Sequence, residues 1–200
     1  MSENRKNKLK LSFYLLLITA ILVIIIYNVV SLGLGVLYPK QYSRYVTETC
    51  EALNLEEPLL YAVINTESSF DKDAVSAVGA KGLTQITDDT FLWLQTKTNE
   101  ERPVDDLFLP EVSIYYGGYF LDLLLDEFGN TEVALAAYHA GRGRVNEWLA
   151  DPRYSKDGKT LDDIPFADTK LYVEKVMKNY ERYIKIYDFK IREDSDNGNS

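Results

Sequence analysis

The chain has 200 residues, of which 46% are apolar, and a net charge of −9. At about 100 to 200 residues per domain this length fits one globular unit, which excludes a second catalytic domain. The acidic charge argues against nucleic acid as a partner. Because Cys50 is the only cysteine and His139 the only histidine, an internal disulfide and a structural zinc site are excluded, and we expect no metal and no cofactor.

The N-terminal region is predicted to anchor the chain in the cell membrane. Residues 11–37 contain no charged side chain, and about 20 helical residues suffice to cross a bilayer, so we predict a single transmembrane helix there. A cleaved signal peptide would have a shorter apolar run and a small-residue cleavage site, which 33–38 lacks. Residues 1–10 are predicted to be cytoplasmic and the rest extracytoplasmic, because basic residues precede the span: Arg5, Lys6, Lys8 and Lys10.

After the span, apolar residues recur at spacings of three and four, which predicts helices. The predicted helices cover 39–54, Pro58 to about Ser68–Asp71, Thr87 or Asp88 to Leu94, Pro110 to Phe128, 133–140 with Thr131 as N-cap, a short segment around Val145 and Trp148 after a turn at Gly143, and Thr169 to Tyr187. Residues 74–82 are predicted to be an ordered loop, and 99–109 and 151–165 polar connections.

No segment alternates with period two over a useful length, so the fold class is predicted to be mainly α. The domain is expected to span 40–188, with a disordered tail at 189–200. A small hairpin around Asp157 and Gly158 stays open as an alternative. Cys50 is expected in the core of the first helix of the domain.

Glu67 is the first candidate for chemistry. It lies seven residues after Leu60 and three after Ile64, which places its carboxyl on the buried face of a helix. Burial disfavours the charged form and raises the pKa of a carboxyl, as a general acid requires. The alternative is that the helix ends near Glu67 and the carboxyl turns to solvent or caps a backbone amide. Spacing alone leaves both interpretations open.

The residues around Glu67 carry a longer pattern. Glu-Ser-Ser-Phe at 67–70 is followed by Ser76 and by Gly-Ala-Lys-Gly-Leu-Thr-Gln-Ile at 79–86. Two further blocks follow in order, Ala-Ala-Tyr-His-Ala-Gly at 136–141 and Ile-Pro-Phe at 164–166 with Tyr172-Val173. The chain from about residue 42 to 187 resembles the soluble lytic transglycosylase family, which is similar in fold to goose-type lysozyme.

The resemblance implies a lysozyme-like helical domain that acts on the glycan strands of peptidoglycan. It implies that Glu67 is the lone catalytic acid and base, which protonates the β-1,4 bond between N-acetylmuramic acid and N-acetylglucosamine and then deprotonates the sugar's own 6-hydroxyl. The product would carry 1,6-anhydromuramic acid ends. Because no water has to be activated, a second carboxylate is not required.

By resemblance, four further residues line the saccharide groove. Ser68 would point at the glycan, although its ordinary role would be to satisfy terminal helix carbonyls. The Gln85 amide would hold an acetamido group or hydroxyl, where a surface glutamine is the ordinary explanation. Tyr138 would direct its hydroxyl at Glu67, and Tyr172 would lie beside the cleft. Both tyrosines would otherwise be core residues.

Three positions depart from the family pattern: Thr84 where methionine is usual, His139 where asparagine is usual, and Asp168 where glutamate is usual. His139 is expected to make backbone hydrogen bonds in place of the asparagine. Asp168 is expected in the cleft wall, with capping of the last helix as the alternative. These departures keep open a wall-binding module of an unidentified envelope machine, and a hydrolytic muramidase is the third alternative.

Overall fold

A computed structural model describes residues 3–189, with the side chains of residues 12–30 and 32–189. The predicted tail lies, apart from Phe189, outside the described residues. The chain divides into two compact units, Met1–Pro39 and Lys40–Ser200. The first unit is the helix α1 (Glu3–Leu37), which begins earlier than the predicted span. Its stretch Ser12–Leu37 is long and apolar enough to cross a membrane, and most of the large apolar side chains described in this stretch are exposed.

The second unit is helical, as the sequence predicts. Its elements are α2 (Ser43–Leu53), α3 (Glu57–Ser68), α4 (Asp88–Thr98), a 3-10 helix (Val104–Phe108), α5 (Pro110–Phe128), α6 (Thr131–Ala140), α7 (Arg142–Ala150) and α8 (Ala167–Tyr187). Within residues 3–189 there is no strand, only isolated bridges that join Lys81 to Val75 and to Ile86. The hairpin considered near Asp157 does not form, because the carboxylate of Asp157 instead accepts hydrogen bonds from the backbone of Lys159 and Thr160.

Several helix ends follow from single residues. Pro58 lies in the first turn of α3 and Pro110 opens α5, where a missing N–H costs nothing because that donor has no partner within the helix. Gly129 ends α5 in a left-handed conformation, with φ of 60°, that glycine adopts without strain. Thr87 caps α4 by accepting a hydrogen bond from the Thr90 backbone.

Three local predictions are wrong. The N-cap of α6 is Asn130, whose side chain accepts from Val133 N at 3.0 Å, so Thr131 is the first helical residue. Gly143 lies inside α7, because the chain turns earlier, at Gly141 with φ of 93°. The polar connection at 99–109 contains a 3-10 helix, whose Leu107 is fully buried and so anchors it to the core.

Two helices form the centre of the domain. Every residue of α3 from Pro58 to Ile64 is buried, as is every residue of α6 from Val133 to Tyr138. A helix that is apolar on all sides must be surrounded by other elements. α8 packs on both α3 and α6, while α5 packs on α2 and α6. The C-terminal turn of α3 therefore ends beside α8, close to the turns of residues 69–87 that follow it.

Candidate active site

Glu67 lies in the last turn of α3 and faces α8. Its Oε1 accepts a hydrogen bond of 2.8 Å from the Tyr172 hydroxyl. Burial raises the pKa of the Glu67 carboxyl to about 7, although the Tyr172 hydrogen bond and the Lys175 ammonium oppose this by favouring the charged form. A carboxyl with this pKa exchanges its proton near neutrality, which suits a group that must act first as an acid and then as a base.

Two buried tyrosines flank the carboxyl. Tyr172 on α8 and Tyr138 on α6 both have pKa values well above the usual 10, because burial and the nearby Glu67 charge disfavour a phenolate. They are therefore neutral hydrogen-bond donors. Tyr138 donates to the Thr84 carbonyl at 2.8 Å and not to Glu67, so the hydroxyl direction predicted for Tyr138 differs from the one in the structure.

Ser68 joins the end of α3 to the loop that follows. Its hydroxyl lies 2.9 Å from the Leu83 carbonyl and 3.3 Å from the Ile64 carbonyl. A hydroxyl has one proton to donate, and the shorter distance indicates that Ser68 donates it to the Leu83 carbonyl. Its oxygen keeps lone pairs that can accept from a sugar hydroxyl. The predicted glycan contact of Ser68 stays a prediction.

Gln85 is held in a left-handed backbone conformation with φ of 50°. Its amide nitrogen donates to Gly82 O at 2.8 Å and Ala74 O at 3.1 Å, so both amide protons are used in hydrogen bonds within the loop. Only the carbonyl oxygen of the side chain is left for a ligand. A saccharide contact by Gln85 is thus limited to accepting a hydrogen bond, for example from an N–H or a hydroxyl.

Thr84 explains one departure from the family pattern. It is fully buried, its hydroxyl donates to Ser113 O at 2.7 Å, and its backbone N–H donates to the Ser113 hydroxyl at 3.2 Å. A Cβ on Gly117 would lie 2.4 Å from the Thr84 side chain, so the glycine on α5 creates the space that Thr84 fills. Thr84 therefore anchors the loop to α5 and leaves its carbonyl for Tyr138.

His139 packs against the partner of the acid. Its ring stacks on the Tyr172 ring with centroids 4.5 Å apart, and its Nδ1 lies 3.1 Å from the Thr169 hydroxyl. Burial lowers the pKa of His139, and Asp168 partly opposes this shift. The prediction that His139 bonds to backbone is wrong in this respect, since its ring nitrogen pairs with a side-chain hydroxyl. The histidine therefore supports the ring of Tyr172 by stacking on its face.

Asp168 is exposed at the start of α8, where its Oδ1 accepts from the Thr169 backbone at 2.9 Å. Asp168 is therefore an acidic residue in the first turn of α8 and not its N-cap, which is Phe166, so the capping alternative is not borne out in that form. Its predicted place in the cleft wall stays a prediction. Within residues 3–189, no three His, Cys, Asp or Glu side chains lie close enough together to hold a metal ion.

Comparison with known proteins identifies the family. The profile described as Transglycosylase SLT domain matches residues 44–161, more than half of the chain, including Glu67, Gln85 and Tyr138. The chain belongs to this family. The relationship predicted from the motifs is confirmed, although α8 with Tyr172 and Asp168 lies beyond the matched range.

Named SLT relatives cover most of the chain. A soluble lytic murein transglycosylase from Salmonella typhimurium is 31% identical over 74% of this chain and 23% of its own length. A membrane-bound lytic murein transglycosylase F from Maricaulis maris is 33% identical over 62% of this chain and 27% of its own. The chain thus spans about a quarter of the length of these relatives.

A solved structure shares the fold of the SLT domain. An inactive mutant of the lytic transglycosylase Slt from Pseudomonas aeruginosa superposes with a TM-score of 0.67 at 29% identity, over 76% of this chain and 25% of that one. The predicted fold class, a helical lysozyme-like domain, is confirmed.

Sequence reasoning missed two supports of the site. Ser113 holds Thr84, and Thr169 holds His139. The signal for the first was present: Ser113 and Gly117 are one helical turn apart on α5, and small residues at that spacing allow a close approach of another segment. Thr169 was predicted only as the start of the last helix, and no pattern pointed to its contact with His139, which is 30 residues away in the sequence.

Proposed function

We propose that this domain is a peptidoglycan lytic transglycosylase. It cleaves the β-1,4 bond between N-acetylmuramic acid and N-acetylglucosamine and leaves 1,6-anhydromuramic acid ends. The observation that carries the proposal is the Glu67 carboxyl, which lies where α3 meets α8, accepts a hydrogen bond of 2.8 Å from the Tyr172 hydroxyl, and has its pKa raised by burial to about 7. Its place in the SLT motif of this chain supports the same role.

The first step needs a proton donor. With a pKa of about 7, roughly half of the Glu67 side chains hold their proton at pH 7. Glu67 gives that proton to the bridging oxygen as the bond from this oxygen to C1 of the muramoyl ring breaks. The Tyr172 hydroxyl donates to the carboxylate that forms, and hydrogen bonds to charged groups are among the stronger ones.

The second step returns the proton. The Glu67 carboxylate takes the proton of the 6-hydroxyl on the same muramoyl ring, and that oxygen bonds to C1. One C–O bond breaks, one forms, and Glu67 ends protonated as it began. Intramolecular attack of good geometry gains on the order of 7 to 11 kcal/mol over a bimolecular one, so no water has to be positioned.

The charges around Glu67 agree with this single-carboxylate scheme. Glycosidases that use water pair two carboxylates across the bond. In the described part of the chain, the one charged group that shifts the pKa of Glu67 is the Lys175 ammonium, and no carboxylate does so. This favours internal attack over the hydrolytic alternative.

A zymogram with embedded peptidoglycan tests the proposal. The full chain in detergent should clear the gel, and Glu67→Gln should lose at least about 100-fold of the activity, since general acid catalysis contributes about 10² to 10⁴. Glu174→Gln is the matched control, because Glu174 is an exposed carboxylate on α8. Clearing that survives Glu67→Gln would refute the assignment of the acid.

Mass spectrometry of the released fragments separates the chemistries. Anhydro ends weigh one water less than the reducing ends made by a muramidase. A digest with only reducing ends would contradict internal attack while leaving Glu67 as the acid. A wild-type protein that binds peptidoglycan without cutting it would favour the wall-binding alternative.

We also propose a single-pass topology for the chain. Residues 1–10 lie in the cytoplasm, the span Ser12–Leu37 crosses the membrane, and the catalytic domain of 40–188 faces the wall outside. The apolar span and the basic residues before it support this orientation. Protease added to cells stripped of their wall should degrade the domain; protection of the domain would reverse the orientation.

A further inference from the structure

Glu67, Tyr172 and His139 form a row of contacts that joins α3, α8 and α6. Tyr172 donates its hydroxyl to Glu67 at 2.8 Å. The face of its ring stacks on His139, with the ring centroids 4.5 Å apart and the planes inclined by 27°. The connection between the histidine and the acid is therefore indirect and passes through one tyrosine.

Two residues of α8, one helical turn apart, hold the imidazole. Its Nδ1 lies 3.1 Å from the hydroxyl of Thr169, which is buried, and its face covers Tyr172 three residues later. On α6, the preceding residue Tyr138 is buried and donates to Thr84 O at 2.8 Å, which fixes this end of the helix. His139 thus has a defined position beside the Tyr172 ring.

The stack restricts the atom that bonds to the acid. The Tyr172 hydroxyl lies at the end of the ring farthest from the backbone, so a tilt of the ring moves the hydroxyl most. A fixed imidazole on one face blocks tilting in that direction. Aromatic pairs of this kind favour the packed arrangement by roughly two- to tenfold. Loss of the His139 ring should therefore lower the share of Tyr172 side chains that reach Glu67 by this factor.

Two departures from the family pattern meet at this place. His139 stands where asparagine is usual, and Asp168 stands where glutamate is usual. The charge of Asp168 acts on the imidazole and favours its protonated form, which raises the pKa of His139 against the effect of burial. Asparagine has no aromatic ring, so the stack on Tyr172 is a contact that the usual residue could not make.

We propose that His139 is a positioning residue of the reaction, which acts through Tyr172 by holding its hydroxyl against Glu67. The histidine itself contacts neither the acid nor the bond that breaks. The inference rests on the proposed function, because it concerns the proton that Glu67 gives to the sugar oxygen.

The pKa of Glu67, read from the pH profile of kcat/KM, measures the effect. The Tyr172 hydrogen bond lowers this pKa, so a looser Tyr172 should raise it, while Lys175 and Tyr138, which also face Glu67, are left unchanged. His139→Asn should raise the pKa by about 0.3 to 1 unit, the logarithm of the factor above, and His139→Phe should raise it less because a ring face remains.

The KM for isolated cell-wall glycan separates positioning from substrate binding. A residue that acts only through Tyr172 should leave KM unchanged in His139→Asn. A raised KM together with an unshifted pH profile would show a direct contact with the substrate and would overturn the positioning role.

A double-mutant cycle shows whether the effect passes through the tyrosine. In Tyr172→Phe the hydroxyl is already absent, so adding His139→Asn should raise the pKa of Glu67 no further. Shifts that add up in the double variant overturn the inference. Tyr119→Ala is the matched control and should leave the profile in place, because it also removes a ring stacked on a tyrosine, but on α5, where its partner is Tyr115 at 6.2 Å.

NMR of the imidazole tests the connection without turnover. His139 is the only histidine in the chain, so its ring signals can be assigned at once in the full chain in detergent micelles. Besides its own titration below pH 6.5, its chemical shift should show a second step near pH 7 as Glu67 ionises, and Glu67→Gln should abolish this step.

The two results together distinguish this inference from the proposed function. An active wild type without the second NMR step, or without a pKa shift in His139→Asn, overturns the positioning role alone. A wild type that shows the step but cuts no peptidoglycan refutes the transglycosylase and still supports the connection of His139 to Glu67.

Discussion

Tyr172→Phe isolates the effect of one hydrogen bond on the pKa of Glu67. The Tyr172 hydroxyl donates to Oε1 at 2.8 Å and so stabilises the carboxylate, which lowers the pKa. A hydrogen bond to a charged group is worth about 1.5 to 3 kcal/mol, and one pKa unit is about 1.4 kcal/mol. Loss of the hydroxyl should therefore raise the pKa of Glu67 from about 7 by about one to two units.

The pH profile of kcat/KM measures this shift. Glu67 must be protonated to start the reaction, so wild-type activity should fall as pH rises through about 7, and the variant should fall one to two units higher. Tyr183→Phe is the control, because it removes another buried hydroxyl of α8 that contacts Asn65 and not Glu67. If the pH profile of kcat/KM is the same in Tyr172→Phe as in the wild type, the result contradicts both the effect of Tyr172 on the pKa of Glu67 and the role of Glu67 as the acid.

Three further outcomes follow. Glu67→Gln should stabilise the fold at pH 8 by up to about 3 kcal/mol but not at pH 4. The reason is that the pKa of Glu67 is about 7 in the fold and 4.5 in the unfolded chain, so the free energy of unfolding of the wild type falls as the pH rises between these values. Thermal melts at both pH values measure this difference. Thr84→Met should lower the free energy of unfolding by about 1 to 3 kcal/mol in urea unfolding, since Thr84 already fills the space beside Gly117 and a longer side chain would overpack it. Asn130→Ala should lower the free energy of unfolding by about 1 kcal/mol, and Thr131→Ala should lower it much less. Equal losses of stability in the two variants would contradict Asn130 as the N-cap of α6.

The sequence predicted the helices whose signals are local. Pro58 and Pro110 mark starts, Gly129 marks an end, and the apolar spacing of 58–64 reveals a buried helix. The cap of α6 was misplaced by one residue because asparagine and threonine are both good caps, and only the backbone conformation decides between them. The 3-10 helix escaped notice because a single residue, Leu107, anchors it.

The sequence predicted which residues belong to the candidate site better than it predicted the hydrogen bonds that they make. Glu67 and Tyr172 come together as the motif implies, but they are 105 positions apart, and no local pattern specifies their contact. For Thr84 and Gln85, the chain position was visible while the direction of the side chain was not. Their hydrogen bonds to Ser113, Ala74 and Gly82 depend on how the loop packs against α5.

The distance along the chain between Glu67 and Tyr172 has a consequence during synthesis. α3 leaves the ribosome long before α8, and we expect the Glu67 carboxyl to be solvated, with a pKa near its usual value, until the domain closes around it. In a nascent or truncated chain without α8, Glu67 is therefore expected to be mainly a carboxylate at neutral pH, without the proton that the first step needs. The cutting chemistry proposed here would begin only when the domain is complete.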